Sequence, residues 1–71
     1  MNHILYLVDK KFNILAKFQF AKKTLLDEFI EKHNAEEDMS NMLVLNFDEN
    51  EDIVSLQIFQ NGKLLKTTTC A

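Results

Sequence analysis

The sequence feature that most resembles a metal site is an acidic run in which Asp48, Asn50 and Asp52 occupy alternate positions. Calcium-binding loops begin with oxygen ligands at this spacing. They also need a glycine at the sixth position and a bidentate glutamate at the twelfth, where this sequence has Ile53 and Phe59. We therefore interpret the run as a solvated acidic turn between two strands, and we expect no bound metal.

Residues that could serve as soft metal ligands or nucleophiles are few. His3, His33 and Cys70 do not form the local pairs that are typical of zinc sites. A single glycine cannot build a phosphate-binding loop. The carboxylates cluster in polar segments, whereas general acid–base catalysis needs a pair in contrasting environments. These features predict a protein that is not an enzyme and that holds no cofactor.

A basic segment in the first third of the chain interleaves lysines with Phe12, Phe18 and Phe20. Lysines and aromatic side chains on strands can bind single-stranded nucleic acid through phosphate contacts and base stacking. The net charge of −3 disfavours nucleic acid, however, and Phe18 and Phe20 alternate with polar residues as core side chains do. A nucleic-acid-binding or nuclease-associated module is therefore the alternative function. Its candidate residues are Lys10, Lys11, Lys17, Lys22 and Lys23.

The charges are unevenly distributed along the chain. Residues 1–26 carry five lysines and one aspartate, whereas residues 27–52 carry ten acidic residues and one lysine. Clustered carboxylates can complement a basic site on another protein and steer its association. The acidic block is therefore a candidate protein-binding surface. Its members outside the predicted helix are Glu36, Glu37, Asp38, Asp48, Glu49, Glu51 and Asp52.

Length and composition indicate one small globular domain over residues 1–71. Apolar residues make up 46% of the chain and charged residues 27%, and we find no repeat and no linker composition. A domain of this size buries only about 60% of its unfolded surface, so its core is marginal. One cysteine excludes an internal disulfide and favours a reducing compartment. The apolar run at 4–8 is far shorter than the roughly 20 residues that span a bilayer. We expect a cytoplasmic protein with no membrane segment.

The periodicity of the apolar residues predicts five strands and one helix. Alternation with period two indicates the strands, and an apolar stripe at helical spacing around Leu26, Phe29 and Ile30 indicates the helix. Asn61-Gly62 favours a two-residue hairpin turn. The predicted fold is α+β in the order β-β-α-β-β-β, one antiparallel or mixed sheet of about five strands with the helix on one face. The predicted strands cover 3–8, 13–20, 42–47, 53–60 and 63–70, and the helix covers 22–34.

One helix of about three turns can cover only one face of such a sheet, although both faces carry apolar residues. The two-residue turn places Phe59 opposite Leu64 and Ile58 opposite Leu65. This register assigns Ile53, Phe59 and Leu64 to the uncovered face, where an apolar patch marks an interaction site. The predicted core consists of Leu5, Leu7, Ile14, Phe18, Phe20, Leu26, Phe29, Ile30, Leu43, Leu45, Phe47, Leu56 and Ile58.

These observations favour a small, non-enzymatic regulatory or inhibitor-type protein. It would bind a partner protein, or a second copy of itself as a homodimer, through the uncovered face or the acidic block. Regulators and inhibitors encoded by phage or other mobile elements have this size and charge.

Overall fold

A computed structural model describes residues 2–34, 41–60 and 63–70. It confirms the predicted α+β class and the element order, with one helix and a five-stranded antiparallel sheet. The predicted Asn61-Gly62 turn and the acidic residues Glu36, Glu37 and Asp38 lie outside the described residues. The elements are β1 (Asn2–Val8), β2 (Ile14–Phe20), α1 (Lys23–Asn34), β3 (Asn41–Phe47), β4 (Ile53–Gln60) and β5 (Lys63–Thr69).

The strands lie in the order β2-β1-β3-β4-β5, and every neighbouring pair is antiparallel. The chain first forms a hairpin, then passes through α1, and returns to place β3 beside β1. This crossover places β1, β3 and β4 in the interior of the sheet and leaves β2 and β5 as its edges.

The core lies between α1 and one face of the sheet. Leu26 and Ile30 are four positions apart and therefore share one face of the helix, which packs on Leu5, Val44 and Phe59. Phe29 extends this contact, because its ring centroid lies 4.7 Å from that of Phe18 and 5.4 Å from that of Phe20. The fully or nearly fully buried members of the cluster are Leu5, Leu26, Ile30, Met42, Val44 and Phe59.

The predicted face of β3 is wrong. Leu43, Leu45 and Phe47 are only half-buried, whereas Met42 and Val44 are buried at 1% and 0% exposure. Both alternating sets of β3 are apolar, so alternation alone does not choose between the two faces. The pairing with β1 makes the choice, because Leu5 lies under the helix and stands directly opposite Val44.

The predicted register of the last hairpin is also wrong beyond its first pairs. Phe59 does pair with Leu64, but Ile58 pairs with Lys66, so Leu65 is the extra residue of a β-bulge. Phe59 belongs to the core, and Ile58 lies on the opposite side of the sheet. Ile14, another predicted core residue, is 64% exposed at the start of an edge strand.

Two hairpins of the fold are structurally equivalent, although the sequence has no evident repeat. The hairpins β1–β2 and β3–β4 share one register at a constant offset of 39 residues, as between Asp9 and Asp48. Each has a bulge at the equivalent place, with Leu15 and Val54 as the extra residues. Leu5 is equivalent to Val44 and also pairs with it. An approximate two-fold axis therefore passes between these two residues, perpendicular to the sheet.

The loops of the two hairpins are built in the same way. Oδ1 of Asp9 accepts hydrogen bonds from the amides two and four residues later, at 2.8 Å each. Oδ1 of Asp48 accepts the equivalent bonds at 2.8 and 3.0 Å. Phe12 and Glu51, at the fourth position of each loop, both have a φ of 63°. An aspartate that holds its own loop amides is a common way to stabilise a tight turn.

The face assignment of β3 predicts unequal effects for two neighbouring substitutions. Met42→Ala removes a side chain buried under α1 and should lower the free energy of unfolding by about 2–5 kcal/mol. Leu43→Ala trims a half-buried side chain on the other face and should cost less than half as much. Urea denaturation of both variants measures the difference, and a larger loss for Leu43→Ala would contradict the assignment.

Candidate functional site

The sheet face opposite α1 carries a continuous apolar surface. Residues directly opposite each other in neighbouring strands project to the same face. The pairing therefore aligns Tyr6, Leu43 and Ile58 in one row across β1, β3 and β4. It aligns Ile4, Leu45 and Leu56 in the adjacent row. We call the surface formed by these two rows the open face; its six residues are Ile4, Tyr6, Leu43, Leu45, Leu56 and Ile58.

The side chains of the open face are partly buried and lie outside the core. All six side chains are half-buried, and none belongs to the core cluster or to the partly buried side chains packed against that cluster. The single helix among the described residues packs on the other side of the sheet. Val8 pairs with Asn41 and therefore lies on the same side of the sheet as Tyr6. It is fully buried and bounds the open face at one end.

Polar residues border both rows at the edges of the sheet. Lys17 stands opposite Tyr6 and Lys66 opposite Ile58, so a lysine ends the first row on either side. Gln19 and Thr68 end the second row in the same way. All four of these residues are exposed. An apolar centre inside a polar border is the arrangement found in protein–protein interfaces.

The three apolar residues that the sequence assigned to the uncovered face do not lie together. Phe59 is 9% exposed and packs in the core. Leu64 stands opposite Phe59, so it lies on the helix side of the sheet, where it is 51% exposed. Ile53 pairs with Phe47 and is 44% exposed at one end of the strand. Ile53 therefore lies near the open face. Phe59 does not belong to it, because Phe59 is buried in the core on the helix side.

The charged candidates fall at two opposite ends of the sheet. Lys10 and Lys11 lie in the β1–β2 loop and are exposed. Because β1 and β3 are antiparallel, the acidic β3–β4 loop lies at the other end. Within it Asp48 is half-buried and holds its own loop amides, while the other carboxylates face solvent. These exposed carboxylates belong to Glu49, Glu51 and Asp52.

The remaining lysines and the aromatic residues are also separated. Lys22 and Lys23 are exposed at the start of α1. Phe18 and Phe20 pack against Phe29, so their rings are not available for stacking on bases. Phe12 is the exception, because it is 54% exposed at the tip of the basic loop.

A partly buried polar network joins β1, β3 and β4 on the helix side of the sheet. Asn46 Nδ2 donates to Ser55 Oγ at 2.9 Å and to Gln57 Oε1 at 3.1 Å. Asn46 Oδ1 therefore acts as the acceptor for His3 Nδ1 at 2.5 Å, so this ring nitrogen carries the proton. Asn46 separates the imidazole from the hydroxyl of Ser55, and the network satisfies buried polar groups without forming a histidine–serine pair.

Metal ligation, membrane spanning and similarity to known proteins add no assignment. Across residues 2–34, 41–60 and 63–70, no group of three or more His, Cys, Asp or Glu side chains could hold a metal ion. In the same part of the chain, no helix is long and apolar enough to cross a membrane. Comparison with protein-family models, with curated proteins and with solved structures finds no match to this chain.

The loop carboxylate of Asp9 predicts a loss of stability in acid. Hydrogen bonds from the backbone and the side chain of Asn13 lower the pKa of Asp9 below its ordinary value of 3.8. Its ionised form therefore stabilises the fold above the unfolded-state pKa, and this contribution disappears as the pH falls through the lower, folded-state pKa. Thermal denaturation should show the wild type losing stability relative to Asp9→Asn as the pH falls from about 5 to below 3.8. A stability difference that does not change with pH would contradict this.

The positive φ of Phe12 predicts that glycine is better tolerated there than the native residue. A non-glycine residue in the left-handed region costs about 1–2 kcal/mol, and glycine loses about 0.5–1 kcal/mol more entropy on folding. Phe12→Gly should therefore raise the free energy of unfolding by up to about 1.5 kcal/mol. Lys11→Gly is the matched control in the same loop, and it should lower stability because Lys11 has no positive φ to relieve. Chemical denaturation measures both, and stabilisation by Lys11→Gly alone would refute the interpretation.

Proposed function

We propose that this chain is a small, non-catalytic protein-binding module of regulatory or inhibitor type, and that the open face is its contact surface. The observation that carries the proposal is the pair of aligned apolar rows on the side of the sheet opposite α1. Contiguous apolar patches larger than a few hundred Å² and rimmed by polar residues mark interaction sites.

The dimensions of the sheet support this use. Five strands of seven or eight residues form a face of roughly 23 by 24 Å, at about 3.3 Å per residue and about 4.8 Å between strands. Side-chain relief makes the accessible area larger than this projection. A standard interface buries about 800 Å² on each partner. The sheet face, at roughly 550 Å² in projection, is therefore smaller than this standard and has the size of a small, transient interface.

The acidic loop adds a directional element to the same surface. Glu49, Glu51 and Asp52 are exposed at the end of the sheet where Phe47 and Ile53 pair. Charges at the border of an interface accelerate association and select the orientation of the partner more than they add affinity. A partner that carries basic groups beside an apolar patch fits this arrangement.

Nucleic acid is the second candidate, and one observation favours it. The exposed ring of Phe12 lies beside Lys10 and Lys11 at the tip of the first hairpin. A stacking ring and two cations are the elements of a small single-strand site. The packing of Phe18 and Phe20 in the core leaves this site with one ring, so we rank it below protein binding.

The two candidates predict opposite results for two variants. Leu45→Lys places a charge at the centre of the open face, whereas Lys10→Ala with Lys11→Ala removes the cations of the first loop. Tagged wild type and both variants are expressed in the native cell together with an untagged wild-type copy. Quantitative mass spectrometry then compares the bound proteins, and circular dichroism confirms that each variant folds.

We expect the partner to be recovered with the wild type and with the double lysine variant, and to fall about tenfold or more with Leu45→Lys, since a central contact dominates binding energy. Equal recovery with Leu45→Lys would contradict the proposal. Loss of nuclease-sensitive material with the double lysine variant would favour nucleic acid instead.

A further inference from the structure

One end of the sheet carries most of the strongly exposed apolar residues. β1 and β4 are both antiparallel to β3 and therefore parallel to each other, so the β1–β2 loop lies at the same end of the sheet as the start of β5. Among the described residues, seven large apolar side chains are 44–65% exposed. Five of the seven lie at this end, and we call them the apolar tips: Phe12, Ile14, Leu15, Leu64 and Leu65.

Lysines accompany the apolar tips in both hairpins. Two lysines precede Phe12 in the first loop, and two flank the pair of leucines at the start of β5. All four are exposed; they are Lys10, Lys11, Lys63 and Lys66. The one acidic residue of segments 9–15 and 63–66 is Asp9, whose carboxylate accepts hydrogen bonds from its own loop amides. Four lysines against one aspartate leave these segments with a net charge of +3.

The fold itself does not require an aromatic residue in the first loop. The equivalent loop at the other end of the sheet has the same aspartate hydrogen bonds and the same φ of 63°, but it has Glu51 in place of Phe12. A bulky residue at positive φ carries a conformational cost. Phe12 is 54% exposed, so packing within the chain offsets little of this cost. The combination indicates a contact outside the chain.

An anionic lipid bilayer is the surface that fits the apolar tips. Four of the five are aliphatic, so they can enter hydrocarbon but cannot stack on bases, and neighbouring lysines can reach headgroup phosphates. The two edge strands that carry the tips are four strand spacings apart, or about 19 Å. The tips are thus two separate points, whereas the core of a protein interface is one contiguous patch. A fluid, flat surface accommodates two such points without matching their relief.

We propose that this end of the sheet binds the surface of an anionic bilayer, with the apolar tips inserted at headgroup level and the lysines against lipid phosphates. The whole chain has a net charge of −3, so the lysines alone would not hold it there and insertion has to add to their attraction. None of the apolar tips belongs to the open face. That face would therefore stay accessible to a partner, and the inference does not depend on its proposed function.

Sedimentation of the full chain with liposomes tests the insertion. One set of vesicles contains phosphatidylcholine alone, and the other also contains phosphatidylserine. Leu64→Gln with Leu65→Gln removes apolar groups from one tip, and Phe12→Gly removes the ring from the other. The matched control, Leu25→Gln with Ile53→Gln, changes two apolar residues that are 48% and 44% exposed but lie outside the tips.

A second pair of variants tests the charge. Lys10→Gln with Lys11→Gln removes two cations beside the tips. Lys22→Gln with Lys23→Gln changes the total charge equally, but at the start of α1, which follows β2 at the other end of the sheet. Each variant is measured at low and at high salt, and chemical denaturation confirms that each one folds.

We expect the wild type to sediment with vesicles that contain phosphatidylserine and not with phosphatidylcholine alone, and high salt should weaken this binding. The double leucine variant and the Lys10–Lys11 variant should each lower the partition coefficient by about tenfold, because insertion and charge both contribute. Phe12→Gly should also bind less, although it stabilises the fold, so its loss of binding does not result from unfolding. The two controls should change binding by less than about threefold.

Other outcomes overturn the inference. A wild type that binds neither kind of vesicle excludes the bilayer. Equal losses from both lysine pairs would reduce the binding to non-specific charge, and an unchanged double leucine variant would exclude insertion. Binding to a single-stranded oligonucleotide without binding to vesicles would assign the lysines to nucleic acid. None of these results bears on the open face, because Leu45→Lys tests that surface separately.

Discussion

The structure is governed by a mismatch between one helix and a sheet that is apolar on both sides. Leu26 and Ile30 provide the contact that buries Leu5, Val44 and their neighbours. A 12-residue helix is only about 18 Å long, so it can cover part of one face of the sheet. The apolar residues of the open face on the other side are half-buried and do not belong to the core under the helix. The proposed function follows from this imbalance.

The pairing between β1 and β3 determines which apolar set lies under the helix. Leu5 and Val44 stand opposite each other at the approximate two-fold axis, and the two hairpins extend outward from them with the same register. In each hairpin an aspartate binds the amides of its own loop. These bonds stabilise the two loops, while the pairing between β1 and β3 decides which side chains of β3 form the core and which form the open face.

The sequence predicts the elements of this fold well because local periodicity and turn residues define them. It does not predict the faces of β3, since Met42 and Val44 are as apolar as Leu43 and Leu45 and the deciding contact comes from a strand 39 residues away. The bulge at Leu65 has no distinctive residue type, so the last hairpin slips by one position after its first pairs. The repeated Asp, with Ile five residues later, was the available signal for the two equivalent hairpins, and this signal would have indicated a common register.

The two edges of the sheet explain why association would use its face. An edge strand offers unpaired backbone groups, and proteins prevent edge-to-edge pairing with lysines and with bulges that distort the edge. Both devices occur at both edges here. In β2, Lys17 accompanies the bulge at Leu15, and in β5, Lys66 accompanies the bulge at Leu65. Because the same lysines also border the first row of the open face, they disfavour pairing through the edge and, at the same time, restrict how a partner can lie over the face.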